Sequence, residues 1–229
     1  MAKNLKIFNI ATYKRDECLI KTLQSIEKQA DVINVMLNSH CNIPRNSYVV
    51  DHSKIRWRLR DNMKGDGHKF DILSQSDGYF FTVDDDIIYP PNYADYLIQK
   101  YEEYGGKEIV TLHGRSFSSF PVRSYYNSAS SYYPCLGNVN TDVNVHVGGT
   151  GVMMFHTDLV KFNEDYIKLP NMADIWIAKY AKEHNIPIRV LAHNSDFLKY
   201  QDSVGSKTIW DEEHLSDTNQ TNLINEIFN

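Results

Sequence analysis

The stretch Tyr79-Phe80-Phe81-Thr82-Val83-Asp84-Asp85-Asp86 joins five strand-forming residues to three consecutive carboxylates. Aromatic and β-branched residues favour strands, so it predicts a buried strand over 79–83 with the acidic residues at its carboxyl end. Ligands bind at that end of the strands in open α/β sheets. Strand alternation directs Asp84 and Asp86 to one side and Asp85 to the other. Because carboxylate oxygens suit Mg²⁺ or Mn²⁺, we expect a metal site here, with a solvated acidic turn as the alternative.

The first half of the chain alternates strand-like and helix-like segments, which is typical of a parallel α/β sheet. Apolar runs indicate buried strands, and apolar positions at helical spacing indicate amphipathic helices. The strands predicted in this half are 5–10, 32–37, 48–50 and 79–83, and the helices are 16–29, 69–76 and 90–104. A polar, glycine-rich run over 61–68 predicts a loop.

The second half is less regular. Its predicted strands are 108–112, 143–147, 152–155 and 188–192, and its predicted helices are 172–184 and one in the tail after Gln201. The Ser-, Tyr- and Asn-rich stretch 113–140 has little periodicity, and irregular segments of that length are usually lids or binding loops. With no internal repeat and no linker, we expect one α/β domain over residues 1–229.

Composition narrows the class of protein. The 229 residues are 42% hydrophobic and 23% charged, which is ordinary for a globular chain. A net charge of −5 gives no support to a general nucleic-acid binder. We find no apolar run near the roughly 20 residues of a membrane helix and no signal segment. Cys18, Cys41 and Cys135 form no disulfide framework and no CxxC metal site, so a cytoplasmic location is expected. The oligomeric state stays open.

The segment before the acidic strand has features of a phosphate-binding loop. Gly65 and Gly67 would let the backbone approach a ligand closely. Lysine side chains here would neutralise phosphate, and aspartates would accept hydrogen bonds from sugar hydroxyls. The charged candidates are Asp61, Lys64, Asp66 and Lys69. The alternative is a flexible polar turn that leads into a helix.

Taken together and in order, these segments resemble the nucleotide-sugar glycosyltransferases of the GT-A fold, close to the family-2-like enzymes of bacterial surface polysaccharide synthesis. The matching segments are Ile10–Arg15, Leu23–Ile26 with Gln29, Gly65–Phe70, Asp84–Asp86, Ala173–Ile175 and His193. The resemblance spans about residues 5–195. It implies a single GT-A domain, a Rossmann-like mixed sheet flanked by helices, with a nucleotide-donor half (about 1–105) and an acceptor half (about 106–229).

The resemblance also implies roles for individual residues. The nucleotide would contact Thr12, Arg15, Asp61, Lys64, Asp66, Lys69, Asp84 and Asp85. Asp86 would be the chief ligand of Mn²⁺ or Mg²⁺, with Asp84 and His193 completing the shell. For Thr12 and Arg15 the alternative is helix capping and a surface charge, and for His193 it is a structural histidine.

Asp174 matches the position of the family's catalytic base. The family often places Glu before it, and this chain has Ala173. A carboxylate in the first turn of a helix is also favoured by the helix dipole, which is the alternative interpretation. A base there implies inversion at the anomeric carbon.

The expected activity is sugar transfer from a nucleotide-diphosphate donor, a UDP-sugar, to a hydroxyl of a glycan or glycolipid. The enzyme would be cytoplasmic or peripheral at the inner membrane face. Two alternatives are a nucleotidyltransferase that makes activated sugars and a non-catalytic carbohydrate- or metal-binding module. The tyrosines at 125, 126, 132 and 133 would stack on sugar rings or pack under a loop. The amphipathic run 220–225 would cover the site or a subunit contact.

Overall fold

A computed structural model describes residues 4–201 and 216–229. The strands are β1 (Leu5–Thr12), β2 (Val32–Asn38), β3 (Ile55–Arg60), β4 (Gly78–Val83), β5 (Ile87–Ile88), β6 (Ile109–Thr111), β7 (Gly114–Ser116), β8 (Ser131–Tyr133), β9 (Val143–Val145), β10 (Val147–Gly148), β11 (Val152–His156), β12 (Ile188–Val190) and β13 (Lys199–Tyr200). The α-helices are α1 (Asp16–Ile26), α2 (Tyr93–Glu103), α3 (Ala173–His184) and α4 (Thr218–Phe228). Short 3₁₀ segments cover Arg45–Val49, Gly65–Phe70, Leu73–Gln75 and Glu164–Tyr166.

Both halves of the chain contribute strands to one eight-stranded sheet. Its order is β3-β2-β1-β4-β11-β6-β12-β9. The first four strands are parallel to one another, and β11 is antiparallel to both of its neighbours. Two small sheets, β10-β7-β8 and β13-β5, flank the large one. The fold is therefore mixed α/β, with a sheet of mixed direction.

Strand β4 is the fourth of the eight strands. All of its residues are buried, as is usual for strands of a sheet that is covered on both faces. Phe80 points into a cluster shared with α3 and α4, whereas Phe81 points into a second cluster shared with α1 and α2. Cross-strand aromatic pairs reinforce both faces, with ring centroids 5.4 Å apart for Phe80 and Phe155 and 4.5 Å apart for Phe8 and Phe81. The acidic turn follows directly from this well-fixed strand.

Three sequence predictions differ from the structure. The predicted strand 48–50 lies in the 3₁₀ segment Arg45–Val49, and the third parallel strand is β3. Strand β3 is an edge strand in which three arginines interrupt the apolar residues, so no apolar run marks it. The predicted helix 69–76 is a pair of 3₁₀ segments, and the predicted loop 113–140 contains β7 and β8.

The helix predicted in the tail is confirmed as α4, which packs Leu223 and Ile224 into the core. Residues 202–215 of that tail lie outside the described residues. In the part of the chain that the structure describes, none of the helices combines the length and apolarity needed to cross a bilayer.

Candidate functional site

The acidic residues occupy a tight turn between β4 and β5. Because β4 ends at Val83, strand alternation does not extend through the turn. Arg15 pairs with Asp85 and Asp86, whereas Lys69 pairs with Asp84. Asp84 also lies close enough to Asp86 for its charge to raise the pKa of Asp86, and the expectation that these two share a side stays a prediction. The hydroxyl of Thr22 fixes the turn by donating to the carbonyls of residues 85 and 87, at 3.0 and 2.8 Å.

Arg15 precedes α1 and bridges two of the carboxylates. Its Nη2 lies 2.7 Å from Asp85 Oδ1, and its Nη1 lies 2.5 Å from Asp86 Oδ2. The Arg15 side chain is only 17% exposed. The structure therefore places Arg15 at the acidic turn, not on the surface as the alternative interpretation required. The Thr12 hydroxyl is buried and has no hydrogen-bond partner among the described residues.

Lys69 reaches the acidic turn from the 3₁₀ segment Gly65–Phe70. The side chain is 3% exposed and pairs with the Asp84 carboxylate, and its Nζ also lies 3.4 Å from the Thr150 carbonyl oxygen. A lysine is almost never buried without an ionic partner. This pair therefore ties the glycine-containing segment to the end of β4, and the phosphate-binding role of the segment stays a prediction.

The three carboxylates of the turn exceed the two cations that face them. Burial raises the pKa of Asp85 to about 7 although Arg15 opposes it. Burial and the neighbouring Asp84 charge also raise the pKa of Asp86. For Asp84, burial opposes the charged form, but Lys69 prevails and lowers the pKa. Asp84 and Asp86 thus lie close enough to repel each other, and a bound cation would reduce that repulsion.

The donor set of this turn fits a hard divalent cation held jointly by protein and substrate. The Asp84 and Asp86 side chains are 42% and 12% exposed, respectively. Among the described residues, no three His, Cys, Asp or Glu side chains are grouped closely enough to hold a metal. Mg²⁺ sites in phosphate-transferring proteins commonly need only one or two carboxylates, because substrate phosphates and water supply the rest. Asp84 and Asp86 meet that requirement.

Within the described part of the chain, the His193 ring makes no contact with the carboxylates of the acidic turn. Its Nδ1 lies 2.7 Å from the Leu191 carbonyl oxygen, and its Nε2 lies 3.4 Å from that of Pro134. The backbone of His193 also pairs with Val139 in an isolated bridge. Because a neutral imidazole donates from one nitrogen only, it can hydrogen-bond to one of these two carbonyls, and the shorter contact is that of Nδ1. The metal-ligand role of His193 stays a prediction.

Gly151 brings a second chain segment against the acidic turn. A Cβ at this position would collide with the Asp84 carboxylate. The Tyr89 hydroxyl fastens the two segments, because it donates to the Gly151 carbonyl at 2.6 Å and accepts from the Asp84 N–H at 2.9 Å. The glycine run 148–151 therefore serves close backbone packing beside Asp84.

Asp66 connects the acidic turn to the start of α3. Its carboxylate accepts the Ala173 N–H at 3.3 Å, one of the free N–H groups of the first helical turn. Burial raises the pKa of Asp66 to about 7, and the charges of Asp174 and Asp84 add to that rise. Gly65, at φ +54°, packs so closely on the Asn171 side chain that a Cβ would collide with it. Arg15, the segment Gly65–Phe70, the acidic turn and the start of α3 therefore lie in one region of the structure.

Asp174 lies in the first turn of α3 and has a partner that the sequence did not suggest. The Tyr125 hydroxyl donates to Asp174 Oδ2 at 2.6 Å. Burial raises the pKa of Asp174, while the Tyr125 hydrogen bond and the nearby Arg115 charge oppose the rise. Arg115 stacks on the Tyr125 ring, with its guanidinium carbon 4.4 Å from the ring centroid.

Helix α4 holds the segment that carries Tyr125. The Tyr125 N–H donates to Thr221 Oγ1 at 2.9 Å, and the Val122 N–H donates to Asn225 Oδ1 at 2.7 Å. Asp217 accepts from the Ser124 hydroxyl at 2.6 Å and from the N–H of residue 126 at 2.9 Å. The position of the Asp174 partner therefore depends on the amphipathic segment that the sequence predicted to cover the site.

Two predicted nucleotide contacts lie toward the outside of the loop. The Asp61 side chain is 70% exposed and lies 3.5 Å from His68 Nε2. Lys64 donates from Nζ to the Glu164 carbonyl at 2.7 Å. Neither contact joins the acidic turn, so their roles stay predictions.

No protein-family model matches the chain, and no curated protein is detectably similar to it.

Proposed function

We propose that this protein is a metal-dependent glycosyltransferase that moves a sugar from a nucleotide-diphosphate donor to a hydroxyl of an acceptor. The observation that carries the proposal is the acidic turn at the carboxyl end of β4. Its carboxylates outnumber Arg15 and Lys69, and it lies beside a second carboxylate system at the start of α3. A donor site and a base site thus share one region.

The donor half of the reaction needs charge neutralisation. A divalent cation on Asp84 and Asp86 would stabilise the negative charge that develops on the leaving diphosphate. Lys69 and Arg15 pair with the carboxylates of this turn from other segments of the chain and would orient the diphosphate oxygens. Gly151 leaves room for this arrangement because it lacks a side chain.

The acceptor half needs a base within hydrogen-bond reach of the attacking hydroxyl. Asp174 supplies a carboxylate whose Oδ2 is held by Tyr125 and which lies near enough to Asp66 to affect its pKa. Asp174 would take the hydroxyl proton as the new glycosidic bond forms and the bond to diphosphate breaks. Attack from the side opposite the diphosphate would invert the anomeric carbon.

The finer proposal is a GT-A fold, in which the parallel part β1–β4 would form the nucleotide-binding half and the antiparallel strand β11 would join it to the acceptor half; the mixed direction of the sheet supports it. We propose a UDP-sugar as donor and Mn²⁺ or Mg²⁺ as the ion. A glycan or glycolipid would be the acceptor, with the enzyme in the cytoplasm or at the inner face of the membrane.

The first test is calorimetric titration of UDP with and without Mn²⁺. We expect Mn²⁺-dependent binding that is lost in Asp86→Ala and retained in the control Asp158→Ala, whose side chain is 79% exposed. Metal-independent binding, or equal binding by Asp86→Ala, would contradict the metal site.

The base is tested separately by turnover of UDP-sugars. Asp174→Asn should lower turnover about 10²- to 10⁴-fold while UDP binding is unchanged. Near-normal turnover would remove Asp174 from the mechanism. UDP binding without turnover of any donor in the native protein would instead favour a non-catalytic binding module.

A further inference from the structure

Arg115 on β7 is buried without an ionic partner, whereas the half-buried Arg15 and Arg189 each have one. The residue is 8% exposed, and its Nη1 donates one long hydrogen bond, 3.4 Å, to the Tyr125 carbonyl oxygen. Among the residues that the structure describes, no carboxylate oxygen lies within ion-pair distance of its guanidinium. By contrast, Arg15 and Arg189 each lie 2.5 Å from a carboxylate oxygen.

Three tyrosine rings surround the guanidinium of Arg115. The distances from its Cζ to the ring centroids are 4.4 Å for Tyr125, 5.2 Å for Tyr126 and 5.4 Å for Tyr132. Ring faces stabilise the positive charge, but they accept none of the in-plane N–H bonds. A guanidinium has five N–H donors, so most of its hydrogen-bonding capacity remains for another molecule.

The position of Arg115 places it on the acceptor side of the proposed site. Its guanidinium stacks on Tyr125, whose hydroxyl binds Asp174, and the Asp174 charge acts directly on Arg115. The carboxylates near the donor diphosphate already have their own cations, Arg15 and Lys69. Arg115 is therefore separate from the charges that would hold the donor.

We propose that Arg115 binds an anionic group, a carboxylate or a phosphate, carried by the acceptor. The proposal rests on the proposed function, because it assigns the acceptor class of that same site. The planar fork of the guanidinium matches both groups through two parallel hydrogen bonds. The rings of Tyr126 and Tyr132 both lie against this guanidinium, and Tyr132 is 55% exposed, so this cluster reaches the protein surface. An acidic or phosphorylated sugar would thus be preferred over a neutral one.

The test follows the Nε–Hε signals of ¹⁵N-arginine-labelled full-length protein, with the Arg115 signal assigned through Arg115→Lys. Glucuronate and glucose 6-phosphate are titrated as anionic probes, and glucose is the neutral control. We expect a saturable shift of the Arg115 signal with both anionic probes and none with glucose. Binding to the variants is measured by calorimetric titration, because Arg115→Gln lacks the Arg115 signal. Arg115→Gln should weaken binding of the anionic probes about tenfold or more, while the exposed Arg123→Gln should leave it unchanged.

Other outcomes overturn the proposal. No shift with the anionic probes, an equal shift with glucose, or unchanged probe binding in both Arg115→Gln and Arg115→Lys would each do so. A shift produced by UDP with Mn²⁺ that blocks glucuronate would assign the guanidinium to the donor diphosphate instead. If UDP fails to bind, the proposed function fails, and the Arg115 signal still reports anion binding separately.

Discussion

Replacing Asp85 by Asn tests the excess charge of the acidic turn. Asp85 is fully buried, and burial raises its pKa from an ordinary 3.8 to about 7 against the effect of Arg15. Over that range the folded protein keeps a proton that the unfolded chain has released. The contribution of Asp85 to the free energy of unfolding must therefore fall as pH rises from about 4 to about 7. The Asn side chain has nearly the same shape, and its oxygen still accepts a hydrogen bond from Arg15.

The expected magnitude follows from the pKa difference. Each pKa unit corresponds to about 1.36 kcal/mol, so the rise from 3.8 to about 7 corresponds to about 4 kcal/mol. Asp85→Asn should match the wild type near pH 4 and should exceed its free energy of unfolding by up to about 4 kcal/mol above pH 7.

Urea unfolding of both proteins across this pH range measures the difference directly. Asp142→Asn is a control of opposite sign. Burial of Asp142 opposes its charge, but hydrogen bonds from Tyr104, Lys100 and the Ala192 N–H prevail and lower its pKa. Its charge therefore stabilises the fold, and this variant should lose stability relative to wild type as pH rises through the carboxyl range. A difference for Asp85→Asn that does not change with pH would refute the reasoning.

Two further predictions concern the Asp174 side of the site. Tyr125→Phe removes a hydrogen bond to the Asp174 carboxylate, and such bonds are worth about 1.5–3 kcal/mol. The pKa of Asp174 should therefore rise, and the acidic limb of the pH profile of turnover should move to higher pH. An acidic limb that does not move would count against this contact. Asn225→Ala removes the acceptor and the donor that bind the Val122 backbone at 2.7 and 2.9 Å, and should lower the free energy of unfolding by about 1–3 kcal/mol in denaturant titration. The exposed Asn222→Ala on the same helix is the matched control, and an equal loss in both variants would contradict the contact.

The centre of the sheet could be predicted because its signals are local. The aromatic run of β4 marks a strand buried on both faces, and the carboxylates follow it at once. Helices α2 and α3 begin and end within a few residues of their predicted bounds because proline, glycine and apolar spacing mark them. The ion-pair partners of Asp84–Asp86 could not be predicted, because Arg15 and Lys69 come from segments that are distant in the chain.

The Asp174 environment was beyond sequence reasoning because its partners are distant in the chain. Tyr125 is 49 residues away from Asp174, and Arg115 lies in a segment without periodicity. Nothing local distinguishes Arg115 from a surface arginine. Only the pairing of β7 with β8 and β10 buries it beside the tyrosines.

The hydrogen bonds between α4 and residues 122–126 also set an order of assembly during protein synthesis. Every strand of the eight-stranded sheet precedes α4 in the chain, so a growing chain can contain the complete sheet while the N–H groups of Val122 and Tyr125 still lack Asn225 and Thr221. The Tyr125 segment therefore reaches its full set of partners only when α4 docks. The nascent protein should acquire a folded sheet first and a fully ordered Asp174 environment last.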